Sequence, residues 1–261
     1  SGTDGSYDDS GATGAGAVVY ILDTGVRVSH EDFGGRAEAG WSAETSQCNG
    51  HGTHCASTAG GSNHGVAEGT IIVTVQAVLN CAPRARGSHA GIIAGIEWAV
   101  DDAKERGLPA IISMSLGTNQ VGVFDDAIRA AYDEGVLTIA AAGNSNDDAC
   151  GYSPASVPLA VTVGSTTQSD SKSPFSSHGP CVDIQAPGSR ITAAWVGSDS
   201  DTATISGTSM ACPHVAGVAA QIRAMRPDLA PDQVTAALLC FATPDAISGL
   251  PSDTANKLLF N

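Results

Sequence analysis

Residues Val18-Val19-Tyr20-Ile21-Leu22 form an unbroken run of β-favouring, apolar side chains with no polar residue to face water. A strand of that kind needs cover on both faces, which points to a parallel sheet sandwiched between helices. The rest of the chain agrees. Strand-like runs at Thr70–Val78, Ala110–Ser115, Val136–Ala142, Val161–Val163 and Val182–Ile184 alternate with helical patterns at Gly91–Glu105 and Phe124–Glu134. Two further helices are expected at Pro213–Met225 and Pro231–Phe241. Strands separated by helices of that length imply right-handed crossovers and an α/β fold, with a mostly parallel central sheet and helices on both faces. Neither repeats nor a linker interrupts the pattern, so residues 1–261 read as a single domain.

Composition narrows the function classes. Twelve Lys plus Arg against 27 Asp plus Glu leave a formal charge of -15, which argues against nucleic acid or an anionic membrane as partner. No apolar run approaches the length of a membrane span. The chain starts at Ser1 without an initiator Met, so a processed form is expected. Seven cysteines suit a secreted enzyme with one to three bridges, and leave at least one thiol unpaired within the chain.

Several polar motifs lie where the strands end. The first strand runs into Asp23-Thr24-Gly25, at the carboxyl edge where α/β folds collect ligands. Asp23 alone would more often be a turn former or helix cap. Asp-Thr-Gly also occurs in aspartic proteases, but the only similar triplet, Asp9-Ser10-Gly11, sits on a polar segment. The cluster Cys48-Asn49-Gly50-His51-Gly52-Thr53-His54-Cys55 raises a zinc reading, weakened by the missing second ligand pair. A histidine at the start of a small-residue helix suits a general base, and spacing alone leaves open which histidine that is. Two later strands run into the glycine turns Ser115-Leu116-Gly117 and Ala141-Ala142-Gly143, with the amide of Asn144 beyond the second. Finally Gly207-Thr208-Ser209-Met210 presents a serine at a helix start, where free N–H groups and the helix dipole favour negative charge. Such a serine is commonly only a cap. Here, however, the chain also offers an acid, a base and an amide donor, the set that acyl transfer requires. Their order is Asp, His, Ser, as in subtilisin. The Ser, Asp, His order of α/β-hydrolases is excluded in practice, because the only histidine after Ser209 is His214.

The segments VVYILDTGV, NGHGTHCAS, SMSLG, AAAGNSN, YSPAS and SGTSMACPHVAG resemble the subtilisin-like serine proteases, and within them the proteinase K and aqualysin branch. The resemblance runs from about Gly14 to Phe260. It implies a subtilisin-like fold and a secreted endopeptidase working through an acyl-enzyme, with preference for apolar or aromatic side chains. The roles it implies are Ser209 as nucleophile rather than Ser206, His54 (the second His of HGTH) as base, and Asp23 as its orienting group. Asn144 and the Ser209 N–H would form the oxyanion hole. Ser115, Leu116, Gly117, Ala141, Ala142 and Gly143 would line the primary pocket. An extended segment near Ala85–His89, including Gly87 and His89, would pair with substrate backbone, although Ala82-Pro83-Arg84-Ala85-Arg86 departs from the family pattern. The resemblance further implies bridges Cys48–Cys81 and Cys150–Cys181 and a free Cys55 beside the catalytic histidine. Cys212 and Cys240 are expected to be packing thiols, with a bridge among these three left open. Structural calcium is implied at Asp183 with the backbone oxygens of Pro158 and Ala160, and a weaker site at Asp8 and Asp9. Protein and peptide substrates, a pro-segment acting as inhibitor and chaperone, and a monomeric state complete the expectation. A catalytically silent, protein-binding member is the alternative.

Overall fold

A computed structural model describes residues 11–43, 49–78 and 87–260. In chain order the elements are β1 (Val18–Asp23), β2 (Ala37–Ser42), α1 (His51–Gly60), β3 (Ile71–Gln76), α2 (His89–Arg106), β4 (Ala110–Met114), α3 (Asp125–Asp133) and β5 (Leu137–Ala141). There follow β6 (Ala160–Thr166), β7 (Ile184–Pro187), β8 (Ile191–Ala194), β9 (Thr202–Ile205), α4 (Thr208–Met225), α5 (Pro231–Phe241), β10 (Thr243–Pro244) and β11 (Lys257–Leu258).

Nine strands form one sheet in the order β10-β11-β7-β6-β5-β4-β1-β3-β2, and β8 pairs with β9 separately. All pairings in the large sheet are parallel except β10 with β11. The chain leaves β1 in one direction toward β3 and β2, and in the other toward β4 and its successors. β1 therefore lies at the point where the strand order reverses, and the crevice beyond its carboxyl end is where such sheets bind ligands.

The β1 side chains divide cleanly between two cores. Val19 and Ile21 pack with Cys55, Ala56 and Ala59 of α1 and with the Ala/Val stripe of α4. Val18, Tyr20 and Leu22 pack on the other face with Ile92, Ile96 and Ala99 of α2 and Ile128 of α3. Both faces are thus dry, as the unbroken apolar run requires. α1 and α4 approach closely because their contact is made by small residues. A Cβ placed on Gly217 would stand 2.7 Å from the Ala59 carbonyl oxygen and from Val66 Cβ.

Local chemistry sets the helix ends. The Ser88 hydroxyl caps α2 by accepting the Gly91 N–H at 3.0 Å. Gly107, at φ 62°, closes it with Lys104 and Arg106 in the last turn. α5 opens on Pro231, and the Gln233 side chain reaches back to the Ala230 N–H at 2.9 Å.

The structure departs from expectation at several boundaries. α4 starts at Thr208, five residues before the expected Pro213, so the proline lies inside the helix. The last central strand is Ile184–Pro187 rather than Val182–Ile184, and the one before it extends over Ala160–Thr166. β2 and the β8–β9 pair were not anticipated: Ala37–Ser42 has a glycine and no buried residue, and β8 and β9 are half exposed. The expected Cys150–Cys181 disulfide is present, with Cα atoms 5.4 Å apart. It closes a loop worth roughly 3–4 kcal/mol in the chain-entropy picture. Cys48–Cys81, Asp8, Asp9 and the Ala82–Arg86 segment fall outside the described residues.

One polar group crosses the apolar layer. The fully buried Tyr20 hydroxyl donates to Asp102 Oδ2 at 2.7 Å, and Arg106 Nε donates to the same oxygen at 2.6 Å. Burial and the adjacent carboxylate hold the phenol above the ordinary tyrosine range, so it remains a donor. Replacing Tyr20 with Phe is expected to cost ~1–2 kcal/mol, measured as a lower urea midpoint at unchanged slope. An unchanged midpoint would show that this bond contributes nothing net.

Candidate active site at the carboxyl edge of the sheet

Asp23 ends β1 and is 2% exposed. A polar group so buried is costly unless hydrogen-bond donors meet it. Its Oδ1 accepts the Thr24 N–H at 2.6 Å, and the His51 Nδ1–H lies 2.8 Å from Oδ1 and 2.9 Å from Oδ2. His51 is the first residue of α1, its N–H held by Asn49 Oδ1 at 2.9 Å. α1 can come this near because position 52 is glycine: a Cβ there would stand 2.4 Å from the Gly25 carbonyl oxygen and 3.2 Å from Asp23 Oδ1. Burial opposes a charge on the His51 ring. The Asp23 carboxylate and the Cys55 sulfur together outweigh that penalty and hold the ring well above the usual histidine range.

The expected base, His54, is elsewhere. It lies one turn deeper in α1, fully buried, and Nε2 donates to the Ile191 and Ala203 carbonyls at 3.1 and 3.2 Å. Its ring meets Trp195 edge to face with centroids 6.3 Å apart. Burial pushes the ring down to about 4, against the pull of those two carbonyls. His54 is thus a neutral pin between α1 and the β8–β9 pair, with no route to Asp23. The correction follows from depth. On a helix that enters the core, the first residue sits at the rim and the residue a turn later is enclosed; His51 keeps 28% of its side chain exposed.

Ser209 is the second residue of α4, 9% exposed, at a position whose N–H has no acceptor inside the helix. Its hydroxyl points to the Ser115 carbonyl at 3.4 Å. Cys55, one turn along α1 from His51, stands 3.9 Å from His51 Nδ1 and 3.3 Å from the Ser209 carbonyl oxygen. The Asp23–His51 pair and Ser209 therefore flank a single thiol.

Asn144 follows β5. Gly143 takes φ 107°, a conformation only glycine adopts without strain, and turns the chain so that Asn144 faces α4. The Asn144 side-chain oxygen accepts both the N–H and the hydroxyl of Thr208, at 2.8 and 3.0 Å, while Thr208 Oγ1 accepts the Gly143 N–H at 3.1 Å. Both Asn144 side-chain polar atoms lie at the start of α4: a Cβ on Gly207 would stand 3.6 Å from Nδ2 and 3.7 Å from Oδ1.

Two cavities adjoin these groups. One, of about 300 Å³, is lined by all six expected pocket residues, Ser115, Leu116, Gly117, Ala141, Ala142 and Gly143, and by Asn144 and Ser209. Tyr152, Ser153 and Ala155 close its far side, which the sequence did not indicate. The second, about 470 Å³, runs past His51, Gly87, His89 and Trp195. His89 does line this groove, but not from an extended segment: it opens α2, with its ring 5.8 Å from Phe124.

Among the described residues, Asp23, His51 and Cys55 are the one set of three His, Cys, Asp or Glu groups close enough to hold a metal ion together. Among the described residues, Asp183 belongs to no such set. Its Oδ2 accepts the Thr162 N–H at 2.8 Å, and burial pushes its acid up against the pull of that bond and of Lys257. Such a half-buried carboxylate, if joined by backbone carbonyls, would make the hard, all-oxygen donor set that suits calcium. Cys55, Cys212 and Cys240 are all free, which removes a bridge among them. Cys212 is fully buried, donates to the Ile139 carbonyl at 3.4 Å, and is pushed up to about 12 by burial, as an inert packing thiol should be.

This architecture has close counterparts. Residues 14–256 match the model of the subtilase family of peptidases. The chain is 45% identical to an extracellular serine proteinase of Thermus sp. (strain Rt41A), over 98% of this chain and 62% of that protein. It is 46% identical to alkaline serine exoprotease A of Vibrio alginolyticus, over 95% of this chain and 46% of the other. It thus spans only about half to two thirds of these relatives. A crystal structure described as a cold adapted subtilisin-like serine proteinase superposes with a TM-score of 0.87 at 47% identity, covering 95% of this chain and 89% of that one. With its strand order, its Asp, His and Ser at one sheet edge and this likeness along nearly its whole length, the chain belongs to the subtilase family of peptidases.

Proposed function

We propose that the chain is a secreted serine endopeptidase in which Ser209 is the nucleophile, His51 the base and Asp23 its orienting group. The observation that carries the reading is the buried Asp23–His51 pair beside Ser209 at the mouth of a small-residue pocket. Ser209 Oγ, swung from Ser115 toward His51, attacks a peptide carbonyl while His51 takes its proton. Asp23 keeps the proton on Nδ1, leaving Nε2 as the acceptor, and stabilises the imidazolium that forms. The oxyanion is met by the Ser209 N–H and the Asn144 amide. His51 then delivers its proton to the leaving amine, and water repeats the sequence on the acyl-enzyme. The pocket walls are short of side chain and carry no acid, so a bulky apolar or aromatic residue fits before the scissile bond. Calcium, held by Asp183 and the carbonyls of Pro158 and Ala160, would brace the loop before β6; a pro-segment that fills the groove and a monomeric state complete the proposal.

A fluorophosphonate should label Ser209 in the wild type and not in His51→Ala, whereas folded His54→Ala should still be labelled. Labelling that survives loss of His51 but not of His54 would reverse the assignment, and an unlabelled wild type would leave a protein-binding role. Asn144→Ala should lower kcat by ~10²–10³-fold with little change in KM, the range seen for one oxyanion donor in subtilisin.

The two histidines give opposite pH signatures. His51 must be unprotonated to act and titrates above the usual range, so kcat/KM should rise with pH through a midpoint above about 6.5. A midpoint below that value would exclude His51 as base. His54 is held neutral, with its proton affinity lowered to about 4 in the folded protein. Below about 6.5 the unfolded chain gains a proton there that the native state refuses, so about 3 kcal/mol of stability present above that pH is lost between pH about 6.5 and 4. Melting curves of His54→Ala should lack that component. Chelation should lower the melting temperature of the wild type more than that of Asp183→Asn; equal shifts would exclude this calcium site.

A further inference from the structure

The first turns of α4 contain a gap that the fold fills from outside. The helix runs from Thr208 to Met225 through Pro213. In an α-helix the carbonyl of residue 209 accepts the N–H of residue 213, and proline has none to give. The orphaned carbonyl belongs to Ser209 itself. Two donors from different elements take the place of the missing amide. The Ser115 hydroxyl donates to the Ser209 carbonyl oxygen at 2.8 Å, and the Cys55 thiol does so at 3.3 Å. Burial pushes the Cys55 thiol up, so it keeps its proton and remains a donor. The Ser115–Ser209 contact is reciprocal, because the Ser209 hydroxyl points back at the Ser115 carbonyl at 3.4 Å.

We propose that Ser115 is a positioning residue for the nucleophile: its hydroxyl substitutes for the amide that Pro213 lacks and ties the Ser209 backbone to the wall of the substrate pocket. Ser115 is 6% exposed and follows β4, on the strip shared by both cavities. Cys55 is the weaker second tether and carries the same carbonyl to the helix that bears His51. Three separately placed pieces, the pocket wall, the base helix and the nucleophile helix, therefore meet on one oxygen atom. The inference rests on Ser209 being the nucleophile, and it assigns Ser115 a task beyond lining the pocket.

The test is a double-mutant cycle with Pro213. Ser115→Ala should slow fluorophosphonate labelling of Ser209 and lower kcat for a peptide ester on the order of 10-fold, with KM within about twofold. Ser115→Cys, which keeps a weak donor, should recover part of the loss. Pro213→Ala restores an N–H at position 213, so in that background Ser115→Ala should cost under about threefold. Equal losses in both backgrounds, or a loss confined to KM, would overturn the proposal. An unlabelled wild type would instead remove the serine-peptidase reading. A labelled wild type with an equally reactive Ser115→Ala would remove this inference alone.

Discussion

The burial of one carboxylate organises this molecule. Asp23 ends a strand whose other residues are all buried, and at 2% exposure its carboxylate is met by a backbone N–H and an imidazole. An unpaired charge in that position would cost several kcal/mol. The first turn of α1 must therefore arrive at the end of β1, which it does with a glycine where any side chain would collide. α4 packs along α1, and the serine at its start arrives on the other side of the same edge. A requirement of electrostatics thus fixes the placement of the two central helices.

Apolar periodicity made the layers legible. A strand buried on both faces, followed by alternating strands and helices, leaves few alternatives to a parallel sheet, and the two separate cores on either side of β1 are what that pattern demands. Elements lacking the signal were not legible. β2 is an edge strand with no buried residue, β9 has none either, and β8 is a four-residue strand that pairs only with β9. Pro213 misled in another way. A proline usually marks a helix boundary, and α4 passes through it because side chains from two other elements satisfy the carbonyl it abandons.

The site divided along similar lines. Asp23, Asn144, Ser209 and the pocket glycines lie at strand ends and helix starts, positions that pattern alone can locate. Which of His51 and His54 meets Asp23 depends on depth, which spacing does not encode: both lie on one helix, three residues apart, and differ by whether the helix has yet entered the core. Similarly, the extended segment expected through His89 gives way to a helix at that residue, because Ser88 is a competent cap.

The closeness of α1 and α4 at Gly217 has a reach beyond packing. His51 and Ser209 stand on separate helices, and the spacing between them is set where the two helices touch, more than one turn further along α4 from Ser209. The small residues there act as a gauge. A single methyl group inserted at that contact, far from His51 and Ser209 themselves, would pry the helices apart like a shim and shift those two side chains relative to each other. Small residues at the heart of this domain thus do more than conserve volume: they hold the tolerance to which the site is built.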